Sequence, residues 1–243
     1  MNILVTIMFD GTAYHGWQFQ KNSPTVQSEV SKAVDIIFNT HYDIHGCSRT
    51  DSGVHANRFC FNFLCDKPTF DVERLPRALN TLLPFDISAV KAEVVDDEFH
   101  ARYSCKAKEY EYLIWNEFYR NPFYRTKACF YPKPLDVDSL NEICSHFVGE
   151  HDFASFMSDG SKIIDTVRKI EYFTAKRDGG IIKFSICANG FLYNMVRILV
   201  GTVCDIYHGR IKEKPEEIIR LKSRKSAGFT APAHGLYLNK IIY

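Results

Sequence analysis

Between two apolar runs the chain carries Gly46-Cys47-Ser48-Arg49-Thr50-Asp51-Ser52-Gly53-Val54-His55-Ala56, and no other stretch gathers so many turn-forming and ionisable side chains. Gly46 and Gly53 open backbone angles closed to other residues, and Ser48, Thr50, Asp51 and Ser52 have short polar side chains that bond nearby backbone and stiffen a loop. Beyond the loop, Phe59, Phe61, Phe63 and Cys65 alternate as a strand does; before it, residues 43–47 read as a short strand, so the loop joins two strands. Working outward, Ile3, Val5, Ile7 and Phe9 alternate as a first strand, and Val26, Val30, Ala33, Val34 and Ile37 repeat at helical spacing behind a start at Pro24. Leu75, Leu79 and Leu82 share the face of a second helix with Pro76 near its beginning, where a proline is tolerated, and residues 87–95 form a strand.

Strand, helix, strand, strand, helix, strand is the order of a ferredoxin-like unit. The second half repeats it: a strand over 106–115, a helix face of Val137, Leu140, Ile143, Cys144 and Phe147, and a hairpin turning at Asp178-Gly179-Gly180. A long helix over 191–208, a short one opening at Pro215, and a last strand over 235–243 complete it. The predicted fold is therefore α+β: two ferredoxin-like halves with antiparallel sheets, residues 1–105 and 106–243, in one continuous structure with a central cleft.

The chain has 243 residues, enough for a large core, with 30 Lys and Arg against 29 Asp and Glu, so net charge advertises no polyanionic partner. Local balance differs. Residues 100–133 hold seven basic side chains against three acidic, and residues 210–225 repeat that ratio. Such separation suits one phosphate-binding face, although a solvated charged surface is the commoner origin of any one run. The eight cysteines are dispersed without zinc-like spacing and read as buried thiols of a reducing, cytoplasmic compartment. No stretch reaches the length of a membrane span, and the opening strand is preceded by no signal peptide.

The string Arg49-Thr50-Asp51 with Gly53-Val54-His55-Ala56 resembles the catalytic signature of the TruA-type tRNA pseudouridine synthases. The resemblance continues in order through Phe9-Asp10-Gly11-Thr12-Ala13-Tyr14 with Gly16-Trp17-Gln18, Phe99-His100-Ala101-Arg102 with Lys108 and Tyr110, Asp152-Phe153 with Ser155-Phe156, Phe191-Leu192-Tyr193-Asn194-Met195-Val196-Arg197, and Thr230-Ala231-Pro232 with Gly235-Leu236. Two positions depart from it: Ser48 stands where the family has Gly, and Phe59 where it has Gln. The resemblance implies isomerisation of uridine to pseudouridine at positions 38 to 40 of the tRNA anticodon stem-loop, an RNA-binding cleft, a homodimer, and chemistry that needs neither metal nor cofactor.

That reaction breaks the bond from ribose C1′ to uracil N1, turns the base and joins C1′ to C5, so it calls for a nucleophile and a base for the C5 proton. By resemblance Asp51 is the nucleophile and Tyr110 the residue that stacks on uracil and takes the proton; by its residues alone Tyr110 is equally a core position beside Tyr112 and Ile114. Arg197 sits in an apolar helical run, where a buried charge needs a partner, and a carboxylate such as Asp51 is the natural one; the plain alternative is an exposed helical Arg. Arg49 can pair with phosphate or replace a flipped nucleotide. His55 reads as structural and Trp17 as packing. The competing function is a non-catalytic RNA-binding pair of ferredoxin-like units, which predicts aromatic rings exposed on an open sheet; a metal-dependent hydrolase ranks third, for want of clustered His and carboxylate ligands.

Overall fold

Four strands and two helices of the first hundred residues assemble in the predicted order in a computed structural model that describes residues 1–67, 69–160 and 163–243. They are β1 (Asn2–Phe9), α1 (Val26–Phe38), β2 (His45–Gly46), β3 (His55–Leu64), α2 (Leu75–Asn80) and β4 (Ile87–Val95). β1 lies antiparallel between β4 and β3, with Ile3 opposite both Phe63 and Val94, and β2 pairs with the outer edge of β3. This is the arrangement of a ferredoxin-like unit.

One face of β3 shows Phe59, Phe61 and Phe63, all fully buried. Phe63 meets Phe38 of α1 edge-on at 5.7 Å, and Phe59 stacks on Trp17 at 4.1 Å. The opposite face is closed by a polar network. Asn62 receives the Ala101 amide at 2.8 Å and donates to Asn2 at 2.9 Å, and Asn2 donates to the Phe99 carbonyl at 2.7 Å. Both asparagines are buried with partners, as burial of an amide demands; they hold the Phe99-His100-Ala101-Arg102 segment on the sheet. α1 begins two residues later than the expected start at Pro24, at Val26. Its N-cap is Thr25, which exchanges bonds with Ser28 in a capping box.

The second stretch holds β5 (Ala107–Trp115), β6 (Cys129–Phe130), α3 (Val137–Ser145), β7 (Gly149–Asp152), β8 (Val167–Asp178), β9 (Ile181–Ala188), α4 (Met195–Tyr207), α5 (Pro215–Leu221) and β10 (Leu236–Ile242). β5, β9, β8 and β7 are successive antiparallel neighbours. Two short pairings are parallel: β6 with β5, and β10 with β3 through Tyr237 opposite His55. The helix expected over 191–208 starts only at Met195, because Asn194 adopts a left-handed backbone (φ 62°) that a right-handed helix cannot include.

Packing divides the chain into two units, Met1–Lys106 with Tyr237–Tyr243, and Ala107–Leu236. The expected division at residue 105 grouped the last strand with the second half; its terminal residues instead pack in the first unit, where the Tyr243 hydroxyl donates to the Ala101 carbonyl at 3.0 Å. Among the described residues no helix is long and apolar enough to cross a membrane. All eight cysteines are thiols, seven of them buried.

Candidate active site

Asp51 occupies a turn tied down mainly by backbone. The first turn of α1 donates its Val26 and Gln27 amides to the carbonyls of Gly16 and Trp17 at 3.2 and 3.0 Å, which answers donors that a helix start leaves unpaired. Trp17 in turn donates its amide to the Thr50 carbonyl at 3.3 Å, Gly53 donates to the Tyr14 carbonyl at 3.2 Å, and the Ser52 hydroxyl reaches the same carbonyl at 3.3 Å. Inside the turn the Val54 amide bonds the Asp51 carbonyl at 3.1 Å, with Gly53 at φ 77°. The Asp51 side chain is half-buried and Arg49, two residues earlier, is exposed.

Two glycines let the first motif press on this turn. A Cβ on Gly11 would stand 1.9 Å from the Val54 carbonyl oxygen, and one on Gly16, whose φ is +84°, would stand 2.2 Å from that of Thr50. Behind them, buried His55 accepts the Gly11 amide at Nδ1 at 3.0 Å, lies 3.0 Å from Asp10 Oδ1 and stacks on Tyr237 at 4.6 Å. His55 is thus a brace between the first motif and the loop, as its reading as structural expects. Trp17 is packing: its indole lies against Gly46, where a Cβ would come within 2.4 Å of Nε1, and Phe59 covers its face. Phe59 therefore stands in a dry aromatic stack and makes no polar contact. Thr50 carries a cost: its hydroxyl oxygen is buried without a hydrogen-bond partner.

In the second unit Tyr110 lies on β5 opposite Ile186, is 6% exposed, and meets Phe191 edge-on at 5.1 Å. Tyr110, Tyr112 and Ile114 do share one buried strand face. Arg197 is half-buried in the first turns of α4 and is no solvent-facing helical arginine. Its Nε donates to the Ala231 carbonyl at 2.6 Å, one terminal nitrogen donates to Asn194 Oδ1 at 2.7 Å, and its own carbonyl receives the Ala231 amide at 3.1 Å. Asn194 passes the connection on to Ser158 at 2.9 Å. The left-handed residue that delays the start of the helix is thus the one that aims the arginine.

The segment following Arg224 is laced to α4 throughout. Arg224 donates to the carbonyls of Ala227 and Gly228 and to the Thr230 hydroxyl at 3.3, 2.9 and 3.0 Å. The Gly228 amide bonds Thr202 at 2.9 Å and the Phe229 amide bonds Asp205 at 3.3 Å. Gly201 allows this approach, since a Cβ there would lie 1.9 Å from the Phe229 carbonyl oxygen. Further along, the buried Tyr112 hydroxyl donates to the Pro232 carbonyl at 2.7 Å, and burial pushes its pKa well up. Burial, with Arg197 nearby, holds the imidazole of His234 below its ordinary pKa.

Sequence reasoning passed over Asn194, Ser158, Thr202 and Asp205 as supports, because each acts through a backbone group or neighbour remote in the chain. It also over-counted positive charge. Within 210–225, Arg210 pairs with Asp205 at 2.7 Å, Lys222 with Asp152 at 2.7 Å, and Arg224 is spent on carbonyls, so much of that surplus serves structure. The exposed aromatic rings that a sheet-surface RNA binder would need are also absent from the sheets among the described residues, with the exception of Tyr172 on β8. Phe19, Phe85, Tyr103, Phe118, Tyr119, Phe123, Tyr193 and Phe229 all lie outside the strands.

A profile of the family described as tRNA pseudouridine synthase matches residues 5–104 and 143–243, segments that include Asp51 and Arg197 and leave Tyr110 between them. Curated proteins named tRNA pseudouridine synthase A are 43% identical in Thermoanaerobacter sp. (strain X514) and 42% in Acetivibrio thermocellus, each over 100% of this chain and 99% of the relative. A Clostridium botulinum protein of the same name is 43% identical over the same shares. Among solved structures, a chain of a Cbf5-Nop10-Gar1 complex aligns with a TM-score of 0.39 at 12% identity over 83% of this chain and 53% of that one, a likeness too distant to carry weight. The chain, an isomerase, belongs to the TruA-type tRNA pseudouridine synthase family.

Proposed function

We propose that the chain converts uridine to pseudouridine in the anticodon stem-loop of tRNA, at positions 38 to 40, with Asp51 as nucleophile, as a cytoplasmic homodimer and without metal or cofactor. The observation that carries this reading is the Asp51 turn itself. A half-buried carboxylate stands on a backbone held by the Gly53 to Tyr14 and Trp17 to Thr50 bonds and by glycine contacts that admit no side chain. Such a group is oriented before substrate arrives, which is how a fixed site lowers a barrier.

In this scheme Tyr110 receives the C5 proton and stacks on the uracil, Arg197 keeps Asp51 ionised, and exposed Arg49 takes the space left by the flipped nucleotide. The reaction is an isomerisation: the C1′ to N1 bond is exchanged for a C1′ to C5 bond, and the proton lost from C5 balances the one gained at N1. Family membership and the clamped geometry of Arg197 support these roles.

Incubation of the protein with an unmodified tRNA transcript, followed by mapping of pseudouridine along the sequence, tests the proposal. Product confined to positions 38 to 40 is expected. Product elsewhere removes the substrate assignment, and no product removes the activity.

A further inference from the structure

Residues 117–125 present an apolar surface that the catalytic roles leave unused. Phe118, Tyr119 and Phe123 are 76%, 78% and 87% exposed, in a stretch that falls between the two segments matched by the family profile. Clustered exposed rings mark an interaction surface.

The loop is built to hold them out. Trp115, the last residue of β5, donates its indole N–H to the Tyr119 carbonyl at 2.8 Å and stacks on Tyr124 at 5.0 Å, so one ring anchors both limbs. Asn121 caps the short 3-10 turn Pro122–Tyr124 by accepting the Phe123 amide at 3.0 Å. Asn116 donates to the carbonyls of Tyr131 and Lys133 at 2.8 Å each, which ties the loop's base to the strand that follows it. A Cβ on Gly180 would stand 2.7 Å from the Trp115 ring, so the β8–β9 turn is shaped to seat that tryptophan.

Charge decides what the rings meet. Arg120 and Arg125 are exposed between and beside them, and Glu117 is the one acidic residue of the loop. In a two-fold pairing of this chain through the loop, each face would meet its own positive charge, which disfavours a second copy. Rings interleaved with arginines suit a polyanion whose units have flat faces, which is RNA with unpaired bases. We infer that residues 117–125 form a prebuilt stacking platform for unpaired nucleotides of the RNA substrate, made of residues that have no role in the proposed isomerisation. The inference rests on the proposed RNA substrate and deepens it; rings fixed beforehand lose little freedom on binding.

The test is direct binding, read by fluorescence anisotropy with labelled, unmodified tRNA transcript at several salt concentrations, on wild type, Phe118→Ala/Phe123→Ala and Arg120→Gln/Arg125→Gln. All four side chains are exposed or lie at the surface, and an unchanged melting midpoint checks that the fold is kept. The aromatic pair is expected to weaken binding about ten-fold without altering the salt slope, and the arginine pair to flatten that slope. Unchanged affinity of the aromatic variant overturns the platform. So does a smaller assembly in sedimentation when the rings are removed, since the rings then serve a second copy. Because binding is read without turnover, a wild type that binds RNA yet makes no pseudouridine counts against the proposed reaction and leaves the platform standing.

Discussion

The Asp51 turn and the segment behind Arg197 use the same device to different ends. In each a glycine on one element lets a loop carbonyl approach to where a Cβ would stand 1.9 Å away: Gly11 against Val54, and Gly201 against Phe229. Beyond that they diverge. The Asp51 turn is fixed chiefly by main-chain bonds to Tyr14 and Trp17, whereas the 227–231 segment is fixed by the side chains of Arg197, Thr202, Asp205 and Arg224. A backbone-held turn leaves its side chains for chemistry and tolerates substitution poorly at its glycines. A side-chain-held segment can be loosened one contact at a time.

The largest expected effect strikes the first region. Asp51→Asn keeps the shape of the turn and removes a carboxylate, so turnover on tRNA should fall by roughly a thousand-fold or more while RNA binding persists. Single-turnover assays with a parallel binding titration separate the two, and substantial residual turnover would remove Asp51 from the chemistry. In the second unit Tyr110→Phe keeps the ring and loses the hydroxyl. A loss of about a hundred-fold, confined to turnover, is the size of one proton-transfer contribution; an unimpaired rate would leave Tyr110 as a core residue.

The glycines test the shared device. Gly11→Ala and Gly201→Ala each force backbone to move, and each should cost about 1–3 kcal/mol in denaturant unfolding. The comparison predicts that Gly11→Ala also costs more turnover than its stability loss explains, since the turn that carries Asp51 is held chiefly by main-chain bonds. Equal activity losses from the two variants would erase the distinction.

Thr50→Val sharpens it in the opposite direction. Replacing a buried hydroxyl that has no partner with a methyl of similar shape should leave stability unchanged or raise it by about 1 kcal/mol, measured as a melting midpoint. A clear loss would mean that the hydroxyl is satisfied in solution.

The smallest effect is one of pH. Lys222, with help from Thr166, holds the Asp152 carboxyl below its ordinary range. A folded-state pKa below the unfolded one gives stability that is present above about pH 4 and lost as pH falls through the folded value. Asp152→Asn should therefore cost a little stability near neutral pH and nothing at low pH, so its unfolding curve converges with that of wild type on acidification. A constant gap at all pH values would show that the contact is not ionic.

Much of the fold was legible because strand and helix periods are local. β4 begins and ends where alternation predicts, at Ile87 and Val95, and the hairpin of β8 and β9 turns at Gly179 as expected. The loop of Asp51, the packing role of Trp17 and the structural role of His55 also followed from neighbouring residues, since glycine, short polar side chains and aromatic runs act over a few positions. What only the tertiary structure decided lies in contacts between residues far apart in the chain. Asn194 reads as one more residue of the helix expected over 191–208, yet its left-handed backbone shortens α4 and its amide joins Ser158 to Arg197. The basic run 210–225 reads as a surface for phosphate until Asp152 and Asp205 are seen to claim Lys222 and Arg210. Periodicity records which side of an element is buried; the partner of a buried or paired polar group is set by where the chain returns, and that is a property of the packed fold.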